Sequence, residues 1–359
     1  MFIRSIVALG FAAAALATPY KRFNGLTVDV VGPAGSVSSI DDLKFTATVK
    51  NTGAETVKIL KYGTILDEKL PTKSFIVTKD GAAVPFTGIK LSVSLSDVDD
   101  SAFAIIPAGE SVTVSHQVAS LFDFASVGNG KFAFEPITNF IVTGAQEKAT
   151  SAAKLSKVQA TSTTVVVEIT SDLSKRELSQ LNKRATDICT TASRKSFIDA
   201  SYSEAKTLAS TASSYVSSHG ASDSLYRSYF GATATSRVTS ILNAVANENS
   251  SSRTLSCTDT YGACSSGVIA YTVISTTNIY FCSIFFNEVA TSSLCSGTTV
   301  ASRNARGGTT LHELTHAVGG TDDIAYGCST DQGLSDANKI SNADNFNCFT
   351  TQVYQNTRC

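Results

Sequence analysis

The chain has no tryptophan, one methionine and only six prolines in 359 residues. The first two scarcities exclude nothing. The prolines speak through position, because all of them, Pro19 to Pro136, lie in the first half. Cysteine does the opposite: none precedes Cys189, and all eight follow in the second half. That partition divides the chain into two segments of different character. No uncharged apolar run reaches the roughly 18 residues that a membrane span needs, which excludes an integral membrane helix protein. A net charge of −1 lacks the basic excess of a nucleic-acid binder. Few charges beside 43% hydrophobic residues exclude a mostly disordered chain. The length suits two or three domains, each able to bury a core.

The N-terminus has the layout of a secretory signal. Arg4 gives the positive start, residues 6–16 form an apolar run, and Ala15-Leu16-Ala17 fits a small-x-small cleavage site. Residues 1–17 are therefore expected to be a signal peptide. Export places the chain in an oxidising compartment, where eight cysteines read as disulfides. Residues 171–184 are polar and twice dibasic, at Lys175-Arg176 and Lys183-Arg184, where the composition switches. Such an exposed strip suits a processing protease. Residues 18–184 are thus expected to be a pro-segment cut off after Lys183-Arg184, leaving 185–359 as the mature domain. The pro-segment has no cysteine to silence a metal, and its one histidine, His116, is read as a plain surface or core residue.

Local pattern separates the two segments again. Short β-branched or alternating runs recur at 26–31, 44–49, 56–60, 74–78, 89–95, 111–116, 131–134 and 163–169, punctuated by Gly, Pro, Asn and Asp. They predict an all-β, sandwich-like pro-segment. The second segment opens with helical periodicity over 186–218 and 222–247. Strand-like runs follow at 268–275 and 278–285, then a helix at 309–318 stopped by Gly319-Gly320, then a helical pair within 335–355. The predicted class is α+β: a helix-rich domain with a small sheet.

The residues that carry chemistry are His312-Glu313-Leu314-Thr315-His316. On a helix, positions i and i+4 share a face, so both imidazoles can converge on one zinc ion, with Glu313 placed as general base. A catalytic zinc wants three protein ligands and an open fourth position. No histidine follows His316 and no glutamate follows Glu313, so a downstream third His or Glu is excluded. Asp322, Asp323, Asp331, Asp336 and Asp344 remain.

Gly320-Thr321-Asp322-Asp323-Ile324-Ala325-Tyr326-Gly327 resembles the GTxDxxYG signature of the aspzincins, and most closely the deuterolysins, secreted fungal neutral metalloproteases. The resemblance implies a zincin-like domain with one Zn2+ held by His312, His316 and Asp323. It implies Glu313 as base, Tyr326 as the hydroxyl that steadies the oxyanion, and Asp344 in the substrate pocket, favouring basic residues after the cut bond. It also suggests the disulfides Cys189–Cys257, Cys264–Cys282 and Cys295–Cys359, with Cys328–Cys348 as an extra pair. The expected partners are protein or peptide substrates and the chain's own pro-segment, acting as intramolecular inhibitor or chaperone on a monomer. Asp322, Asp331 and Asp336 are read as loop-solvating or capping residues. Asn249-Ser250-Ser251 is a glycosylation sequon. The alternative is a secreted, disulfide-rich binding or wall protein whose metal is not catalytic.

Overall fold

The computed structural model describes residues 25–145, 155–178 and 189–359. The expected signal peptide and the cut at Lys183-Arg184 lie outside the described residues. None of the helices described is long and apolar enough to cross a membrane.

The N-terminal half is built of β1 (Leu26–Val31), β2 (Ser36–Ser39), β3 (Lys44–Asn51), β4 (Val57–Leu60), β5 (Phe75–Lys79), β6 (Ala82–Ala83) and β7 (Ile89–Val93). It continues with β8 (Phe103–Ile106), β9 (Ser111–Gln117), β10 (Gly130–Pro136), β11 (Asn139–Gly144), β12 (Ser156–Gln159), β13 (Thr161–Ser162) and β14 (Val165–Asp172). Alternation of buried and exposed residues along β1 and β3 shows one face against a core and one toward solvent, as expected of half-buried strands. The segment is all-β among the described strands, as the sequence suggested, but its sheets are more numerous than a sandwich needs. The strands divide among three sheets, ordered β13-β1-β3-β9, β2-β14-β10-β5-β6 and β12-β11-β4-β8. A core rich in phenylalanine joins them, with Phe45, Phe75 and Phe134 in mutual ring contact.

The C-terminal half contains α1 (Ala192–His219), α2 (Ser224–Phe230), α3 (Thr235–Ala246), β15 (Leu255–Ser256), β16 (Val268–Val273) and β17 (Asn278–Phe281). It ends with α4 (Arg306–Leu314), α5 (Cys328–Gln332), α6 (Asp336–Ser341) and α7 (Ala343–Arg358). The single helix expected over 222–247 is two. Gly231 interrupts it at φ +57, and a Cβ there would meet the Asp336 carboxylate. That carboxylate instead accepts from the Ala232 amide at 2.9 Å. α4 is buried from Gly307 to Leu314 between α1 and α7. Gly307 and Gly308 permit this, since a Cβ on either would run into Glu204 and Thr291, or Asn347.

One strand crosses the divide. β7 leaves the N-terminal sheets and pairs antiparallel with β16, extending the second half's sheet to β15-β17-β16-β7. All five of its residues are buried. Leu91 and Val93 join Tyr271, Tyr280 and Tyr326 in an apolar cluster between the halves. Each such side chain removed from water contributes roughly 1.5–3 kcal/mol.

Candidate metal centre

α4 carries His312 and Glu313, and a single π turn, Thr315–Gly319, continues it and carries His316. Such turns widen the helix locally and are frequent at functional sites. Gly320, at φ +69, then reverses the chain. The Asp322 amide donates to Ser341 O at 2.6 Å and the Ala343 amide to Asp322 O at 3.0 Å, so the returning segment is tied to the α6–α7 junction. Asn342 Oδ1 also accepts from the amides of Ile324 and Ala325. These ties bring Asp323 back beneath the helix despite the short loop.

Three donor atoms meet there. His312 Nε2 lies 3.1 Å from His316 Nε2, and Asp323 Oδ1 lies 3.0 Å from the first and 3.2 Å from the second. Both imidazoles are buried. His316 Nδ1 donates to Thr321 O at 2.9 Å, which leaves its Nε2 with a lone pair aimed at His312. Two ring nitrogens and a carboxylate oxygen this close together are placed to share one cation. Ligands at about 2.0–2.1 Å from a tetrahedral zinc are about 3.3 Å apart, close to the spacing found. The donor set therefore fits zinc. Without it, burial opposes charge on His312, but the hydrogen bond to Asp323 and the nearby Asp344 carboxylate outweigh burial and lift its pKa to about 10. Burial pushes His316 down. Burial also works to raise Asp323, yet the two imidazoles hold it well below the usual carboxylate range.

Glu313 is wholly buried, and the Thr272 hydroxyl donates to its Oε2 at 2.6 Å. Burial pushes its pKa to about 8, against the opposing pull of His312 and Thr272. Its Oε1 has no hydrogen-bond partner among the described residues. The Tyr326 hydroxyl donates to Leu91 O at 3.0 Å, and the same carbonyl lies 3.3 Å from His312 Nε2. The Leu91 amide donates to Asp323 Oδ2 at 2.7 Å. Lys90 donates to Thr321 O and pairs with Asp322 at 2.9 Å, and Lys73 reaches the same carboxylate at 3.3 Å. β7 thus runs through the site, and a cavity of about 300 Å³ beside it is lined by Tyr62, Lys90, Asp322 and Tyr326 among others.

A model of the deuterolysin metalloprotease (M35) family matches residues 2–358. The chain belongs to the deuterolysin metalloprotease (M35) family. It is 31% identical over 339 residues to a peptidyl-Lys metalloendopeptidase of Armillaria mellea, covering 90% of this chain and 91% of that one. A neutral protease 2 homolog of Phaeosphaeria nodorum is 32% identical over 375 residues, covering 98% of each chain. Penicillolysin of Penicillium citrinum is 31% identical over 335 residues, covering 89% of this chain and 90% of that one. A solved zinc peptidase from Grifola frondosa is 26% identical, with a TM-score of 0.36 over 45% of this chain and 96% of that one. As a deuterolysin-family member the chain is a metalloendopeptidase, and peptides are its substrates.

Asp344, expected at the substrate pocket, is paired with another side chain of the protein. It is wholly buried, and its Oδ1 accepts from Arg303 Nε at 2.9 Å and Nη2 at 2.5 Å. Its Oδ2 accepts from the Gly327 amide at 2.7 Å, and Oδ1 faces His312 Nδ1 at 3.6 Å, too long for a hydrogen bond. Its charge is spent within the protein. Asp331, read as a solvated or capping residue, is buried too and accepts from Asn342 at 3.1 Å. Asp322 serves the N-terminal lysines. His116 packs in the N-terminal core, bonded to Ile65 O at 2.8 Å. The structure joins Cys189 to Cys257, Cys264 to Cys282, Cys295 to Cys359 and Cys328 to Cys348. The last pair links α5, just after Tyr326, to α7, which carries Asp344. Thr272 and Arg303 were not singled out from the sequence, and β7 was expected as a strand but not as part of the site; no motif marks any of them.

Proposed function

We propose that this deuterolysin-family chain is a secreted zinc endopeptidase made as a zymogen, with one zinc held by His312, His316 and Asp323. The observation that carries the reading is the triangle of three facing donor atoms with the Glu313 carboxylate buried beside it. Zinc bound there would polarise the scissile carbonyl and acidify a water. Glu313, oriented by the Thr272 hydroxyl, takes a proton from the water and returns it to the leaving amine. A raised pKa suits a group that must hold that proton between the two transfers. The Tyr326 hydroxyl, which already donates to a carbonyl in the cleft, steadies the oxygen as negative charge builds.

The zymogen reading is supported by β7. It adds to the open edge of β16 as an extended peptide would, with the Leu91 carbonyl between Tyr326 and His312. Cutting after Arg184 would free the pro-segment to leave. Secretion is supported by the signal pattern and by four disulfides, and Asn249 would be a surface sugar site. Glu313→Gln tests the catalytic role: it should keep zinc, while activity on casein falls by about 10²–10⁴-fold. Full activity in this variant would return the molecule to the alternative of a non-catalytic metal site.

A further inference from the structure

Arg303 has no part in the chemistry above, yet it is placed with care. Its side chain is 7% exposed, and its backbone sits in the left-handed region at φ +50, which a non-glycine residue seldom adopts. Two of its nitrogens grip Asp344 Oδ1, and the guanidinium lies over the Tyr326 ring, 5.7 Å from its centroid. The remaining terminal nitrogen, Nη1, donates to Val93 O at 3.0 Å. Val93 belongs to the strand lying in the cleft. The Leu91 carbonyl faces Tyr326 and His312, so the Leu91–Ser92 peptide lies where a substrate's scissile bond would lie. Val93 is then the second residue beyond the cut. When β7 leaves, Nη1 is left aimed at the cleft, beside a cavity of about 450 Å³ that Arg303 lines with Glu288, Asn304 and Gly327.

We propose that Arg303 is a substrate-positioning residue: it binds the main-chain carbonyl of the second residue after the cleaved bond, and by neutralising Asp344 it removes any preference for a basic side chain after the cut. The inference rests on the peptidase reading above. The fork geometry explains how one side chain does both, since guanidinium presents donors along two edges. Recognition of a carbonyl is independent of side chain, so Arg303 selects for chain length past the cut rather than for sequence.

The test uses the processed, zinc-loaded enzyme and four matched quenched peptides. Two continue past the second residue beyond the cut and two stop, as amides, one residue beyond it. Each length carries Ala or Lys just after the bond. Wild type should lose at least tenfold in kcat/KM on shortening and show no gain for Lys over Ala. Arg303→Met should lose at least tenfold more on the long Ala peptide than on the short one, and cleave Lys peptides at least tenfold better relative to Ala. Arg303→Met/Asp344→Asn, which leaves no lone buried carboxylate, should show the same loss of length dependence without the gain for Lys. Equal losses on long and short peptides, in whichever variant folds, would overturn the proposal. So would a wild type that prefers Lys. Wild-type enzyme that cleaves none of the four would instead sink the peptidase reading itself.

Discussion

Lys90 offers a quantitative hold on the strand in the cleft. Its ammonium is 9% exposed, donates to Thr321 O and lies 2.9 Å from Asp322, itself 33% exposed. Lys90→Met keeps the apolar stem and removes the charge. Asp322 retains Lys73 at 3.3 Å, so no carboxylate is stranded. A charge-assisted hydrogen bond contributes about 1.5–3 kcal/mol, and part-exposure of Asp322 argues for the lower end. With the carbonyl bond added, the loss is about 2–3 kcal/mol, or roughly 30- to 150-fold in the hold of the pro-segment. The assay cuts the full chain at the linker, leaves the two parts together, and dilutes them in fluorogenic peptide. Activity should emerge at a pro-segment concentration higher by that factor in Lys90→Met than in wild type. The same dissociation constant for both would refute the idea that this strand holds the cleft. A cut wild type that is fully active before dilution would refute it too.

Other expectations concern the site and its surroundings. Thr272→Val removes the hydroxyl that orients Glu313; zinc content should hold while kcat falls roughly 10- to 100-fold, and an unchanged kcat would remove Thr272 from the mechanism. Glu288 is a pH-sensitive element. Burial, offset in part by the Thr309 hydroxyl and Arg303, raises its pKa to about 8, so the folded state favours the neutral acid. Stability should therefore be intact below about pH 4.5 and fall as pH rises toward 8, by up to about 1.4 kcal/mol per unit. Glu288→Gln should match wild type in urea denaturation at pH 5 and exceed it at pH 8; parallel curves would contradict the assignment.

How much of this could be read from the chain depends on where the determining contact lies. His312 and His316 were legible because helical spacing puts positions i and i+4 on one face, and Glu313 because it adjoins the first of them. The strands at 26–31 and 111–116 were legible because their burial alternates within a few residues. The third donor, Asp323, was named only by its resemblance to a signature and not by spacing, since five aspartates follow, and in the fold the bridge between Asp322 and Asn342 brings it back. The break at Gly231 depends on Asp336, about a hundred residues away, coming within van der Waals range. The run at 89–95 read correctly as a strand, but its partner β16 lies in the other half, and no local pattern names a partner at that distance. Asp344 drew notice through its motif, whereas the arginine that cancels its charge stands in no motif at all.

The most direct test of the central claim is the zinc content of the intact chain by native mass spectrometry, beside His316→Ala and Asp323→Ala. One zinc per wild-type chain, lost from both variants while their disulfides and folded mass envelope persist, is the expected result. One zinc retained in either variant would show that the ion, and with it the chemistry, sits elsewhere.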